Sequence, residues 1–383
     1  MQTRIPTVIM RGGTSRALFL MENHLPKDYT IRDKLILDLF GSPDPYKRQI
    51  DGLGGAVSST SKVAIIGPSK DPQYDVTYNF GQVSIDHPIV DYRGNCGNIS
   101  SAVGPFAIDQ GLVQVEEPIT KVRIHQLNTD KLIVAHVPVK EGRFTHEGEY
   151  EINGVPGKGS QIDLHFYNPA GSVTGKLLPT DNPIETIDVP HFGTIEFSLI
   201  DAANPYVFVK ASDFNLTGTE ISQIDQSIKI KEALEFVRCQ AAVLCGLVAT
   251  REEAGIISQA IPKIMMIAPA QPYTTIKKDH IRKNDIDIVI RMISMGTLHT
   301  AIAMTGAICC AGAAKIPGTI LSENTRDSRG PLLIGSPSGV IDVRANVIND
   351  GKKLKYIDAM ISRTARRIME GYAFVSNQHF LAC

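Results

Sequence analysis

Apolar and polar positions along the chain change over in short blocks, mostly with the two-residue period of strands. Residues 1 to about 25 read as two strands around the polar turn Arg11-Gly12-Gly13-Thr14-Ser15. Arg32 to Phe40 places Ile36, Leu37 and Phe40 on one helical face, and Gly41-Ser42-Pro43 stops that helix. Gly52-Leu53-Gly54-Gly55 opens a polar loop that ends in Ser58-Ser59-Thr60-Ser61-Lys62. Val63-Ala64-Ile65-Ile66 then reads as a buried strand bounded by Gly67-Pro68. Val76 to Phe80, Gln82 to Ile85 and the stretch from Val113 to about Phe166 alternate as strands do. Ile187 to Ile200 opens the second half, and Ile224 to Leu247 carries the longest helical pattern. Asp285 to Met292 is expected to lead into another helix, and strands close the chain around Val340 to Val343 and Tyr372 to Val375.

Two stretches interrupt the alternation. Asn95-Cys96-Gly97-Asn98-Ile99-Ser100-Ser101-Ala102-Val103-Gly104 moves from tight polar residues into a small-residue apolar run, the pattern of a loop feeding a buried helix. Asn98 or Ser100 is a candidate N-cap, and Pro105 is expected to kink or end the helix after about two turns. Met295-Gly296-Thr297-Leu298-His299-Thr300-Ala301-Ile302-Ala303 repeats the pattern, with Gly97 matching Gly296, Ala102 matching Ala301 and Val103 matching Ile302. The openings of the halves also match. Ile9 to Ser15 running into Ala17 to Leu20 parallels Ile200 to Pro205 running into Tyr206 to Val209. An ordered pair of matches predicts two similar domains, each contributing a helix start to a shared cleft.

Composition narrows the class. A length of 383 residues suffices for two domains with separate cores, and 43% hydrophobic with 21% charged residues is ordinary for a globular protein. No apolar run approaches the roughly 20 residues needed to cross a bilayer. The opening Met1-Gln2-Thr3-Arg4-Ile5-Pro6 lacks the apolar core of a signal peptide. The net charge of −1 offers no electrostatic basis for binding nucleic acid. The six cysteines, Cys96, Cys239, Cys245, Cys309, Cys310 and Cys383, show neither zinc spacing nor a disulfide framework, which fits a reducing cytoplasm.

Several residues carry candidate chemistry beside a plainer reading. A cysteine at a helix start has its thiolate favoured, and the unpaired amides there suit an anion; Cys96 is equally readable as a structural cysteine beside a turn. Lys62, placed between hydroxyl residues and an apolar strand, is either a desolvated lysine usable as a base or an exposed loop lysine. His299 reads as a packing residue and Cys309-Cys310 as core cysteines. Gly171-Ser172-Val173-Thr174-Gly175-Lys176-Leu177 fails as a phosphate loop, being one residue short between its glycines and carrying Leu after the Lys. Gly335-Ser336-Pro337-Ser338-Gly339 is a donor-rich turn, also readable as a hairpin connection.

Arg11-Gly12-Gly13-Thr14-Ser15, Ile50-Asp51-Gly52-Leu53-Gly54-Gly55 with Thr60-Ser61-Lys62, and Asn95-Cys96-Gly97-Asn98 together resemble the PrpF-type isomerases. That family includes 2-methylaconitate cis-trans isomerase, 3-methylitaconate Δ-isomerase and 4-oxalomesaconate tautomerase. Lys176 to Thr180, Pro337-Ser338-Gly339 and Arg363-Thr364-Ala365-Arg366 extend the resemblance over essentially the whole chain. Arg16 and Ser336 depart from the lysine and histidine expected at those places. The resemblance implies an α+β, diaminopimelate epimerase-like fold of two pseudo-symmetric domains, each a β-barrel-like sheet around a central helix, with the active site between them. The expected domains are 1–186 and 187–383, with 360–383 a candidate to pack on the first.

In the two-base epimerases of that fold each half supplies a cysteine. Here the first half keeps Cys96 and the second has Met295, whose thioether accepts no carbon-bound proton, so Lys62 becomes the natural base. The expectation is a cofactor-independent, metal-free isomerase that moves a proton in a small unsaturated di- or tricarboxylate of the 2-methylaconitate or 3-methylitaconate type. Lys62 and Cys96 are the expected catalytic residues. Arg11, Thr14, Ser15, Gly97, Asn98, Met295, Gly296, Thr297 and Ser338 are the expected substrate contacts, with amides at Gly97-Asn98 and Gly296-Thr297 stabilising the developing charge. The alternatives are keto-enol tautomerisation of an oxalomesaconate-type substrate and a non-catalytic carboxylate-binding relative; Met295 disfavours an amino-acid racemase. The partner is a small polycarboxylate, with neither nucleic acid nor membrane, and homo-oligomerisation is left open.

Overall fold

The computed structural model describes residues 2–326, 330–349 and 354–376. Of the closing segment 360–383, residues 377–383, with Cys383, lie outside them. The chain divides into two units: 2–151 with 157–164 and 362–376, and 152–156 with 165–361.

In the first unit Gln2–Gly12 and Ser15–Met21 form an antiparallel hairpin closed by the Gly12–Ser15 pair. The helix Tyr29–Phe40 follows, capped by the Asp28 carboxylate, which accepts from the amides of Thr30 and Ile31, and ended by left-handed Gly41. The chain returns as Lys62–Pro68, parallel to the second hairpin strand, and turns back as Val76–Val83. The two strand segments expected at 76–80 and 82–85 are this one strand. After Val90–Asp91 comes the central helix Gly97–Asp109, then Ile119–Gln126 parallel to Val76–Val83, and its partner Lys131–Lys140. Ala365–Ser376 pairs along Gln2–Gly12. Gly97 to Ile108 is buried throughout, enclosed by the strands of this unit, including both hairpin strands, Ile119–Gln126 and Lys131–Lys140.

Two details of that helix differ from expectation. Cys96 is its N-cap, with extended backbone and no side-chain capping bond, so neither Asn98 nor Ser100 caps it. Pro105 lies inside the helix without ending it. The missing hydrogen bond is a local cost, and burial of the whole helix in an apolar sheath outweighs it.

The second unit repeats this order. Gly193–Ala202 and Asn204–Lys210 form a hairpin through Ala203, whose φ is 60°. The helix Ile228–Leu244 leads to Lys263–Pro269, parallel to the second hairpin strand, and then to antiparallel Ile288–Ser294. The short strand Thr297–Leu298, the central helix Met304–Ala313, and the pair Leu332–Ser336 and Gly339–Asn349 complete it, with Leu332–Ser336 parallel to Ile288–Ser294. The single helix expected over 224–247 is broken at Ser227, whose hydroxyl caps Ile228–Leu244.

The second central helix starts later than its sequence pattern suggested. The run Ile288-Val289-Ile290 within 285–292 is β-branched and buried on both faces, which suits a central strand. Met295 and Gly296 follow as a two-residue hairpin loop, with φ of 50° and 74°, between the paired Ser294 and Thr297. Both central residues at positive φ is the turn geometry that matches strand twist. Gly296 and Thr297 therefore do not open a helix, and Met295 is not the positional counterpart of Cys96. That place belongs to Ala303, the N-cap of Met304–Ala313.

Candidate active site

Lys62 is the first residue of its strand, preceded by a turn in which the amides of Thr60 and Ser61 both donate to the Val57 carbonyl. Ser61 Oγ donates to Gln49 Oε1 and anchors the turn from the other side. The strand then carries Lys62 inward, leaving it only 8% exposed. Burial penalises its ammonium and lowers its pKa below the usual lysine value, while contact with the Cys96 thiol, through charge and a side-chain hydrogen bond, works the other way. Of the two placements the sequence left open, the fold buries Lys62 at a strand start and does not expose it on a loop.

Lys62 Nζ donates to Gln82 Oε1 at 2.5 Å, directly across the strand pair, and lies 5.1 Å from the centre of the Phe80 ring. Tyr78, on the same face two residues further back, is fully buried. Its phenol is held far above its ordinary pKa by burial first and by Cys96 second. Cys96 itself is partly exposed. Its carbonyl accepts from the amide and the hydroxyl of Ser100, at 2.9 and 3.1 Å. The amides of Gly97 and Asn98 lie in the first turn, where a helix offers no internal acceptor.

The opening hairpin closes against that helix start. A Cβ on Gly12 would meet the Asn98 carbonyl, and one on Gly13, whose φ is +51°, would meet the Asn98 side chain. Gly12 is thus required by close approach of two backbones, and Gly13 by its positive φ and the Asn98 side chain next to it. Asn98 Nδ2 donates to Thr14 Oγ1 at 3.1 Å, and Asn98 Oδ1 accepts from Nε of buried Arg363 at 3.4 Å. Ser15 is buried in the hairpin as the partner of Gly12. Arg11 turns one guanidinium nitrogen onto the carbonyls of Gly13 and Thr364 and onto the Thr364 hydroxyl, so it braces the loop carrying Arg363.

Lys62, Cys96, Gly97, Asn98, Thr14, Ser15 and Arg11 therefore all belong to one unit, gathered around one helix start. Gln82, Tyr78 and Arg363 join them there. Arg363 had a signal, since Arg363-Thr364-Ala365-Arg366 is one of the family-like motifs. Gln82 and Tyr78 had none, because the cross-strand register that presents them is not written in local sequence.

In the second unit Met295, Gly296 and Thr297 form the hairpin described above, with Gly296 and Thr297 exposed. Ser338 sits in the turn joining Leu332–Ser336 to Gly339–Asn349, and its hydroxyl donates to the Thr300 carbonyl. The phosphate-loop lookalike at 171–177 is wrapped around Asp201, which accepts from the Ser172 hydroxyl and from the amides of Val173 and Thr174. Those amides are already satisfied and hold nothing else. Cys309 and Cys310 are fully buried with thiol pKa values pushed up by desolvation. His299 accepts from the Ala301 amide through Nδ1. Among the described residues no three His, Cys, Asp or Glu side chains converge as a metal site. No helix among them is long and apolar enough to cross a membrane.

Comparison with known proteins places this geometry. The family profile described as PrpF protein matches residues 2–376. A 3-methylitaconate isomerase of Eubacterium barkeri is 46% identical over 378 residues, 98% of each chain. A 2-methyl-aconitate isomerase of Shewanella oneidensis is 38% identical over 387 residues, covering 98% of this chain and 97% of the relative. Among solved structures, a methylitaconate-delta-isomerase superposes with a TM-score of 0.79 at 45% identity, covering 100% of this chain and 98% of that one. A hydroxyproline epimerase from Agrobacterium vitis superposes with a TM-score of 0.57 at 12% identity, over 97% and 92% of the two chains, which speaks to the fold alone. The fold is of the diaminopimelate epimerase type, each unit wrapping a sheet around its central helix. The protein is an isomerase, and with its whole described length matched the chain belongs to the PrpF family.

Proposed function

We propose that the protein moves a proton within a small unsaturated dicarboxylate of the 3-methylitaconate type, with Lys62 as the base. The observation that carries this reading is a lysine buried beside a cysteine at the start of the first central helix, with its pKa lowered by desolvation. The high identity to a 3-methylitaconate isomerase over nearly the whole chain supports the substrate type.

In that reaction neutral Lys62 takes the proton from the carbon bearing the methyl group and one carboxylate. The C–H electron pair forms a double bond between the two carboxylate-bearing carbons by way of a dienolate, and the electron pair of the old double bond is released onto the terminal methylene carbon. The methylene then takes a proton from the Lys62 ammonium or from the Cys96 thiol, which restores neutrality of the base or leaves it to be re-equilibrated with water. First-turn amides at Gly97 and Asn98 are the donors for the carboxylate on which charge develops. Thr14 and Arg363, both bonded to Asn98, supply hydroxyl and cationic contacts at the same helix start. Only a proton moves, so the step calls for neither a redox nor a group-carrying cofactor.

The test is a substrate panel of 3-methylitaconate, 2-methylaconitate and oxalomesaconate in D2O, followed by NMR. Deuterium appearing at the terminal carbon of 3-methylitaconate's isomer supports the reading. Turnover of oxalomesaconate alone would replace it with the tautomerase alternative, and turnover of none of the three would overturn the substrate type.

A further inference from the structure

We propose that Gln82 is a positioning residue for Lys62, holding its amine so that the basic lone pair is presented to the substrate. The proposal rests on the reading of Lys62 as the base.

The geometry leaves this amide one orientation. Gln82 is 7% exposed, and its two N–H donors are both used, on the Ser61 carbonyl at 2.9 Å and the Ser58 carbonyl at 3.2 Å. Flipping the amide would set its oxygen against two carbonyls and its NH2 against an amine, so Oε1 must face Lys62 Nζ. The bonded carbonyls belong to the turn that delivers Lys62 to its strand, and the Lys62–Gln82 pair is in direct cross-strand register. Backbone and side chain of the base are therefore fixed by the same amide.

A neutral acceptor suits a base better here than a carboxylate would. A neutral lysine amine has two N–H bonds and one lone pair. Donating one N–H to Gln82 stops rotation about the terminal carbon–nitrogen bond and leaves the lone pair free. After proton abstraction the same oxygen accepts from the ammonium more strongly, because a hydrogen bond to a charged donor is the stronger kind. The centre of the Phe80 ring, on the same strand as Gln82, lies 5.1 Å from Nζ and adds a modest attraction to the charged form. The titratable group that acts on Lys62 is the Cys96 thiol, which contacts it from the helix start, while the Tyr78 phenol on the Gln82 strand interacts with Cys96. The charge–charge influence on Lys62 comes from Cys96. Gln82 thus steadies the ammonium without the full negative charge that would lock the proton on it.

The test compares pH profiles of kcat/KM for wild type, Gln82→Met and Gln82→Glu. Loss of activity on the acid side reports protonation of Lys62. Methionine keeps the side-chain length and removes the acceptor, so the acid limb moves to lower pH by about one unit and kcat falls about tenfold or more with KM little changed. Glutamate sets a carboxylate against Nζ, so the limb moves to higher pH by about one unit or more and activity recovers as pH rises. Loosening of the 58–61 turn cannot move the limb in both directions. If either variant is too unstable to assay, the other decides by the direction of its shift. Limbs that stay at the wild-type pH in the folded variants overturn the role of Gln82. Lys62→Ala in the same series separates the two ideas: its inactivity beside unmoved limbs sinks only the Gln82 proposal, whereas an active Lys62→Ala sinks the base and Gln82 with it.

Discussion

The two units use one plan and differ in what they place at one spot. Each has a hairpin, a strand returning parallel to it, an antiparallel neighbour and a central helix. The returning strands even match in outline, Lys62–Pro68 against Lys263–Pro269, each opening on lysine and closing on proline. The surroundings of those lysines do not match. Across from Lys62 the neighbouring strand presents Gln82, Phe80 and Tyr78; at the corresponding positions the second unit has Ser294, Met292 and Ile290. Cys96 precedes the first central helix, Ala303 the second. Lys263 instead donates to the Ala260 carbonyl at 2.7 Å and remains partly exposed. The difference teaches that a lysine at a strand start becomes a candidate base only when the next strand and the helix start supply an acceptor and a thiol in a desolvated setting.

Removing each lysine tests that contrast most severely. Lys62→Ala is expected to lower kcat by about 10²–10⁴-fold, with a retained cooperative thermal unfolding transition as the fold control, and excess substrate does not restore the rate. Lys263→Ala is expected to leave kcat within about twofold of wild type, since loss of one partly exposed hydrogen bond acts on stability by about 1 kcal/mol. Equal losses in the two variants would erase the distinction between the units.

Cysteine labelling sharpens it next. Cys96 should react with iodoacetamide at least about tenfold faster than Cys309 or Cys310, because those two thiols are buried and their pKa values pushed up. Peptide mapping reads the rates, and 3-methylitaconate should protect Cys96. Cys239, pushed up to about 11, and Cys245, pushed up to about 12, should fall on the slow side as well.

The glycine turns of the two units separate by a smaller margin. Gly13→Ala forces a Cβ into the Asn98 side chain at positive φ and should cost about 2 kcal/mol or more. Gly296→Ala has the same conformational strain, φ +74°, but open space around the new methyl, and should cost about 1 kcal/mol. Denaturant titration compares them, and Gly13→Ala should also lower activity through Asn98. A larger cost at Gly296 would mean that the second hairpin is the tighter site.

Local chemistry determined a good part of this protein. The strand pair around the 11–15 turn, the apolar run 63–66 and the alternation from Val113 onward state strands because each has one or both faces buried, and the small apolar run after Cys96 states a buried helix. The motifs around Lys62 and Cys96 marked both residues of the candidate site, and their resemblance named the family that the whole-chain match shows. Pairing across strands was beyond local sequence. Met295–Ala303 reads like a loop opening a helix, yet β-branched Ile288-Val289-Ile290 had a neighbouring strand to join, and that non-local partner turned Met295-Gly296 into a hairpin loop. For the same reason Gln82 was invisible. Nothing within 20 residues of it in the chain specifies that its amide will face Lys62; only the register of two strands, set by burial of their shared face, puts oxygen and nitrogen 2.5 Å apart.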